Sequence, residues 1–142
     1  MKNLIKFLIL SIITMSCSVS KNTNFNLLFG SGFKNDNVSL EINDTLIVEN
    51  QIMITDSIIG IVNSNNISYQ QGILNVSDKK GNVLKKIPMI IDAKKIKFTI
   101  IINKNPYLFY SNLNKGTNMV FNKDKYYYNV YLNQNKKIIK LE

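Results

Sequence analysis

The sequence contains no arginine, no histidine and no tryptophan, and only one cysteine among its 142 residues. Histidine is the commonest metal ligand and general base, so its absence argues against the most frequent hydrolytic and zinc-dependent sites. A single cysteine excludes an intramolecular disulfide. Arginine is the main reader of base edges, so its absence argues against a sequence-specific nucleic-acid binder. These absences predict no nucleic-acid partner and no cofactor.

The positive charge is carried by lysine alone. Eighteen lysines stand against nine acidic residues, a net charge of +9. They are scattered as single residues or pairs such as Lys79-Lys80 and Lys136-Lys137, which is typical of a solvated surface. Anionic lipid headgroups or acidic polysaccharide are the counter-surfaces that such a charge favours.

Catalytic and metal-binding motifs are also missing. The nine carboxylates show no paired spacing of the kind a glycosidase uses. No zinc spacing, glycine-rich phosphate loop or nucleophile elbow is present. Oxygen ligands for calcium occur at Asn35–Asn37 and Asp78–Asn82, but neither segment has EF-hand spacing, and turn formation explains both equally well. We therefore predict a protein that is not an enzyme and has no metal site.

The N-terminal segment has the pattern of an export signal. Lys2 and Lys6 provide a short basic start, and residues 4–15 are mostly apolar. This run is shorter than the roughly 20 apolar residues that a membrane-spanning helix needs. It fits the apolar region of a secretory signal peptide.

The signal ends in Thr14-Met15-Ser16-Cys17, which resembles the lipobox of bacterial lipoproteins. Ser16 is the small residue before the cysteine, whereas Thr14 stands where the family usually has leucine. The resemblance covers about the first 20 residues and implies diacylglyceryl transfer to the Cys17 thiol, cleavage before Cys17, and acylation of the new amine with a chain such as palmitate. The expected product is exported and lipid-anchored to a bacterial membrane, at its periplasmic face or the cell surface.

After Cys17 the sequence is typical of β-structure. Apolar residues alternate with polar ones in Val38–Asn43, in Lys95–Ile102 and in Tyr126–Leu132. Turn signals rich in asparagine separate these runs, among them Lys34–Asn37, Asn63–Asn66 and Asn133–Asn135. The predicted strands lie near 25–33, 38–43, 46–55, 58–62, 71–77, 83–91, 95–103, 107–111, 118–122, 126–132 and 136–141.

Many short strands at this spacing predict an all-β fold, an antiparallel β-sandwich that is immunoglobulin-like or related. The predicted organisation is a signal peptide at 1–16, a flexible tether at 17–26 and one β-sandwich domain at 27–142. Strand 83–91 is expected to pair with 95–103, with Pro88 at an edge or bulge. Residues 133–135 are expected to turn a terminal hairpin.

Tyrosines are enriched in the C-terminal third and supply the candidate binding face. In the alternating run, Tyr127, Asn129 and Tyr131 share one side of the strand, opposite a set that fills the core. A polar-flanked aromatic surface of this kind can stack on sugar rings, although ordinary strand packing explains the tyrosines as well. Tyr127, Asn129 and Tyr131 are therefore the predicted contact residues.

A further short pattern concerns modification. Asp44-Thr45-Leu46 and Asp56-Ser57-Ile58 each resemble the Asp-Ser/Thr-aliphatic signal for O-glycosylation of exported proteins in Bacteroidetes-type bacteria. The resemblance implies Thr45 and Ser57 as acceptor hydroxyls. Turns or strand edges explain both triplets equally well.

Three hypotheses for the function remain open. The first is a non-catalytic cell-envelope binding module that contacts a glycan, a lipid headgroup or an envelope protein. The second is a structural accessory subunit of an envelope complex. The third is a cryptic hydrolase, which would need two carboxylates facing one pocket.

Overall fold

The computed structural model describes residues 23–56, 62–124 and 129–136, and within these ranges the chain forms strands and no α-helix. Accordingly, the described ranges hold no helix of the length and apolarity that crossing a membrane takes. In chain order the strands are β1 (Phe25–Phe29), β2 (Lys34–Ile42), β3 (Thr45–Ile54), β4 (Asn66–Gln70), β5 (Ile73–Ser77), β6 (Val83–Pro88), β7 (Ile96–Ile102), β8 (Asn105–Ser111), β9 (Asn118–Lys123) and β10 (Val130–Asn135).

The strands form two sheets packed as a sandwich. One sheet has six strands in the order β10-β9-β1-β4-β5-β6, and the other has four in the order β3-β2-β7-β8. The pairing of β1 with β9 is parallel, and the other pairs are antiparallel. The predicted all-β sandwich is therefore confirmed, with one parallel pair in the middle of the larger sheet.

The alternating sequence of β7 translates directly into its packing. Ile96, Phe98, Ile100 and Ile102 are buried, and the residues between them are half-buried. Successive side chains of a strand point to opposite faces, so one face of β7 lies on the core and the other is turned outward. Val38, Leu40 and Ile42 of β2 are fully buried in the same way, as the sequence predicts.

Aromatic rings join the two sheets across the core. Phe98 of the four-stranded sheet meets Phe25 edge-on with ring centroids 6.2 Å apart, and meets Phe121 at 5.8 Å. Phe25 also stacks on Tyr69 at 5.4 Å within the larger sheet. Edge-to-face and offset-stacked pairs each add about 0.5–1.5 kcal/mol beyond the burial of their area. Strand β1, which provides Phe25, starts within the segment 17–26 that the sequence assigns to a tether.

A buried ion pair also joins the sheets. The Lys123 ammonium of β9 donates to both carboxylate oxygens of Asp36 in β2, each at 2.7 Å. Both residues are almost fully buried, at 8% and 3% exposure. The Asn103 amide donates to Asp36 Oδ1 at 2.6 Å, and the Lys34 N–H donates to Oδ2 at 2.9 Å. The carboxylate thus receives four hydrogen bonds, which is what a buried charge requires.

Burial opposes the ionisation of Asp36, but the hydrogen bonds from Lys123, Lys34 and Asn103 and the charge of Lys123 outweigh it. The pKa of Asp36 is consequently held below its ordinary value of 3.8. The carboxylate is therefore ionised in the folded protein at neutral pH, and it provides the negative charge that the buried lysine needs.

The predicted turn at Lys34–Asn37 is wrong, because these residues begin β2. Asn35 has φ 58°, and the β2–β3 register shifts between Lys34 and Asp36. Turn-type residues here form a bulge, which lets the Asp36 side chain enter the interior. The ion pair with Lys123, which is 87 residues away in the chain, overrides the local turn preference.

The predicted terminal hairpin turn at 133–135 is also wrong. Asn133 and Asn135 lie in β10 and pair with Val120 and Asn118 of β9. Between them, the Gln134 amide donates to the Asn112 and Gly116 carbonyls at 2.8 and 2.6 Å. These distant carbonyls explain why amide-rich residues continue the strand here. The strands predicted at 58–62 and 136–141 fall almost entirely outside the described residues.

Two features of the larger sheet differ from the sequence-based expectation. Strand β6 pairs with β5, whereas pairing with β7 was predicted, and Pro88 ends β6 at the sheet edge. Strand β4 was not predicted, although Ile67 and Tyr69 alternate with polar residues in it. Its first residue, Asn66, is also the last residue of the turn signal Asn63–Asn66, so this signal masked a short alternating run.

Removing one member of the buried ion pair should destabilise the fold strongly. We expect Lys123→Met or Asp36→Leu alone to lower the free energy of unfolding by about 3–5 kcal/mol, because each leaves an unpaired buried charge. The double variant should lose less than the sum of the two single losses. Urea unfolding of the four proteins checks this, and additive losses would contradict a direct pairing.

The same pair should make stability depend on acid. Because the pKa of Asp36 is lower in the folded state, its contribution is complete above the ordinary value of 3.8 and is lost as the pH falls through the folded pKa. The unfolding free energy of the unaltered protein minus that of the Asp36→Leu/Lys123→Met double variant should therefore fall as the pH is lowered from neutral through 3.8 and below. Asp78 titrates in both proteins and cancels, so a constant difference in urea-unfolding free energy would contradict the assignment.

Candidate ligand-binding face

The outer face of the six-stranded sheet carries a row of polar side chains that crosses every strand. Registered pairs connect these residues from one edge to the other, and the row runs Asn135, Asn118, Asn26, Ser68, Asn75, Lys86. Each side chain is exposed or half-buried. Neighbouring strands are about 4.8 Å apart, so the six positions span about 24 Å. We call this set the amide row.

The amide row exists because each strand places a polar residue at an outward position. In β1, for example, Phe25, Leu27 and Phe29 are buried while Asn26 is exposed. In β5, Leu74 and Val76 are buried on either side of the half-buried Asn75. The apolar residues fix which face of each strand is turned inward, and strand register then brings the intervening amides into line.

A shallow depression lies in the middle of this face. Its volume is about 250 Å³, and it is lined by residues of β1, β4 and β9, which are Asn26, Leu28, Asn66, Ile67, Ser68, Asn118, Met119 and Val120. Leu28 and Val120 face each other in the β1–β9 register and give the depression an apolar patch. Amide groups around an apolar patch suit a ligand that has both hydroxyl groups and C–H surfaces.

Asn26 and Asn118 orient each other at the rim of the depression. The Asn26 amide donates to Asn118 Oδ1 at 3.1 Å. A primary amide carries two N–H donors and a carbonyl with two lone pairs, so one shared bond uses only part of the capacity of either group. The pair is thus held in place while both groups can still bind hydroxyls of a ligand.

The six strands of this sheet contain no aspartate and no glutamate. The outer side of the other sheet differs, since Glu41 lies opposite Thr99 and Lys97 binds Asp44 at 2.6 Å. The face that bears the amide row is therefore neutral except for Lys86, which lies at its β6 end. It can accept an uncharged or an anionic ligand without carboxylate repulsion.

The structure places only part of the predicted tyrosine face. Tyr131 lies in β10 opposite Asn122, is 43% exposed, and shares its alternation with Asn133 and Asn135 at the β10 end of the amide row. Asn129 is exposed but precedes the strand, and its carbonyl accepts a bond from the Asp124 N–H at 2.7 Å. Tyr127 lies outside the described residues. Tyr131 is therefore the one predicted contact residue that the structure brings to the same face as the amide row.

The amide row itself was missed from the sequence. Its members are single asparagines or serines in six separate strands, and no local spacing connects Asn26 with Asn118 or Asn75. The usable signal was a single asparagine between two apolar residues, which occurs in β1 and again in β5. Strand order was needed to bring these residues together.

The segments considered as oxygen ligands for calcium have their carboxylates engaged. Asp36 binds Lys123, and Asp78 accepts bonds from the Lys80 and Asn82 N–H groups and from the Asn82 amide, each at 2.8 Å. The hydrogen bonds from Asn82 hold the pKa of Asp78 below its ordinary value. The described residues include no group of three histidine, cysteine, aspartate or glutamate side chains close enough to hold a metal ion.

The structure describes only one of the two predicted O-glycosylation residues, Thr45. Thr45 is exposed at the start of β3, directly after Asp44, whose φ of 63° closes the β2–β3 turn. The Thr45 hydroxyl therefore lies at a hairpin tip, where a modifying enzyme can approach. Ser57 and the lipidation residue Cys17 both lie outside the described residues.

Comparison with known proteins adds no assignment to this geometry. No protein-family model matches the chain. No curated protein and no solved structure shows significant similarity to it.

Proposed function

We propose that this chain is a lipid-anchored, non-catalytic binding module of the bacterial cell envelope, and that its ligand is a glycan held on the amide row. The observation that carries the proposal is the line of amide and hydroxyl groups from Asn135 to Lys86. Amide side chains donate to and accept from sugar hydroxyls, and the patch formed by Leu28 and Val120 offers apolar surface to sugar C–H groups.

The extent of the row favours a polymer over a single sugar. The depression occupies the centre of the row, over β9, β1 and β4, and the polar positions continue across two more strands on one side and one on the other. A chain of sugars lying across the strands would meet a hydrogen-bonding group at every strand. Lys86, at one end of the row, would add a positive charge, and Tyr131, on the same face four residues before Asn135 in β10, would add a ring face beside the other end.

The membrane attachment in this proposal depends on the N-terminal signal. Diacylglyceryl and acyl chains on Cys17 would anchor the module stably, because two or more chains are needed for lasting membrane binding. The polar stretch Ser18–Thr23 would then separate the anchor from Asn24 and β1. The anchor would thus hold the amide row close to envelope polysaccharide near the membrane surface.

Substitutions in the amide row should weaken glycan binding. Native electrophoresis of the protein through gels containing neutral or acidic soluble polysaccharide would measure retardation. Asn75→Ala and Asn118→Ala should each raise the dissociation constant about fivefold, since a net hydrogen bond contributes about 1 kcal/mol. Lys86→Ala should weaken binding to the acidic polysaccharide more than binding to the neutral one, because it removes a positive charge as well as a hydrogen-bond donor.

The matched control is Asn37→Ala. Asn37 is an exposed asparagine in a strand of the other sheet, opposite Ile52, so its removal should leave retardation unchanged. If Asn75→Ala and Asn118→Ala behave as Asn37→Ala does while the unaltered protein is retarded, the ligand binds elsewhere. If no polysaccharide retards the unaltered protein, the glycan proposal itself is wrong.

The lipid anchor can be tested separately. Cys17→Ser should abolish incorporation of labelled palmitate, because the serine hydroxyl does not form the thioether on which processing depends. Ser18→Ala, which alters the neighbouring residue, should keep full labelling. Labelling of the Cys17→Ser chain at the level of the unaltered chain would contradict lipidation at this position.

A further inference from the structure

One end of the sandwich gathers the start of β1 and connections of both sheets. In the larger sheet, β1 begins beside the β4–β5 turn, and the end of β6, the start of β9 and the end of β10 lie at the same level. The β6–β7 loop (residues 89–95) and the β8–β9 loop (residues 112–117) also lie here, joined by a hydrogen bond from the Leu113 N–H to the Ala93 carbonyl at 2.8 Å. We call this part, with residue 136, the proximal end.

Ile90 projects from the proximal end as a fixed apolar side chain, 97% exposed. The backbone before it is held, because the Met89 N–H donates to the Gly72 carbonyl at 2.9 Å and the Met89 carbonyl accepts a bond from the Tyr69 hydroxyl at 3.1 Å. The residue after it, Ile91, is buried in the core. The fold therefore holds an isoleucine in water, although its burial would be favourable.

The proximal end also carries an excess of positive charge. Two aspartates lie there, of which Asp44 pairs with Lys97 at 2.6 Å, while the Asp92 carboxylate accepts a bond from the Lys94 N–H at 2.9 Å. Four exposed lysines have no ion-pair partner among the described residues, and these are Lys94, Lys95, Lys115 and Lys136. This end can therefore attract an anionic surface.

Tyr110 adds an aromatic ring beside these lysines. It lies opposite Lys97 near the end of β8 and is 59% exposed. The Lys95 Nζ lies 5.6 Å from the centroid of its ring. Tyrosine has an apolar body and a polar hydroxyl, so it suits the boundary between a bilayer and water.

The expected anchor residue, Cys17, precedes the proximal end closely in the chain. Asn24, next to the first residue of β1, follows Cys17 by seven residues. A fully extended chain spans at most about 3.6 Å per residue, so Asn24 lies within about 25 Å of the lipidated cysteine. The chain thus enters the domain at the proximal end, and a membrane that holds Cys17 is within reach of Ile90 and the four lysines.

We propose that the proximal end docks on the anionic surface of the membrane that holds the Cys17 anchor, with Ile90 inserted at the headgroup boundary. This docking rests on the proposed lipid anchor. The lysines are attracted by anionic headgroups within about a Debye length, and Ile90 leaves water for an apolar interior. Acidic polysaccharide would attract the lysines equally, but it offers no such interior to Ile90. Docking orients the domain, so that the amide row keeps a fixed height above the bilayer.

The chain has no tryptophan, so an introduced one reports on its own surroundings. The full lipidated chain with Ile90→Trp is reconstituted into vesicles of phosphatidylcholine and brominated phosphatidylglycerol, whose bromine atoms quench a nearby indole. Because Ile90 is almost fully exposed, the substitution disturbs no packing. We expect its emission to shift to shorter wavelength and to be quenched. Leu84→Trp, at an exposed position near the start of β6 and the opposite end of the sheet, should stay unquenched.

Charge variants in the Ile90→Trp chain test the role of the lysines. Lys94→Gln/Lys95→Gln should weaken the quenching. The matched control, Lys79→Gln/Lys80→Gln, removes the same charge from the exposed β5–β6 turn at the opposite end and should leave the quenching unchanged. Raising the salt from about 0.1 M to about 1 M shortens the Debye length from about 10 Å to about 3 Å, so it should act as Lys94→Gln/Lys95→Gln does.

Flotation of the same vesicles measures attachment separately from docking. If the chains float and Ile90→Trp is quenched no more than Leu84→Trp, the docking is overturned and the anchor stands; lysines that serve polysaccharide instead of lipid would give this result. If the two lysine pairs have equal effects, the proximal end is not what the membrane attracts, and the proposal is wrong. Chains that do not float would refute the anchor and the docking together.

Discussion

The fold depends on the contact between Asp36 and Lys123, where a negative and a positive charge meet inside an otherwise apolar sandwich. Each charge would be costly alone, and together with Lys34 and Asn103 they are fully hydrogen-bonded. The pair fixes β2 of one sheet against β9 of the other. It adds a contact between the sheets that depends on direction and distance, which apolar packing does not provide.

The contact between Asp36 and Lys123 also helps to position the amide row. Strand β9 is held by Lys123 on its inner side, and its outer side carries Asn118 into the amide row. Strand β2 is held by Asp36, and β7 and β8 add to it in order. The larger sheet thus presents a polar face that is neutral except for Lys86.

The strands differ in how closely their positions could be predicted from the sequence. Strand β7 was predicted closely because its apolar residues alternate without interruption and its core face is unambiguous. The start of β2 was missed because Lys34–Asn37 has turn composition, and only its pairing with β3 and the ion pair with Lys123 make it a strand. Tyr131 was placed on an exposed face correctly, since alternation along one strand is local information. The asparagines of the amide row were not predicted as one face, because their alignment depends on strand order.

Local sequence patterns were enough to specify the all-β class, the inward-facing residues of β2 and β7, and the outward position of Tyr131, because side-chain alternation is encoded within a few residues. Tertiary structure alone decided that β1 lies parallel to β9, that β6 joins β5, and that asparagines from separate strands form one row. It also decided which strands lie at the sheet edges within the part of the chain that the structure describes. These features are set by pairing between segments far apart in the chain, whose free energy depends on the packed core and the buried ion pair, and no local pattern carries that information.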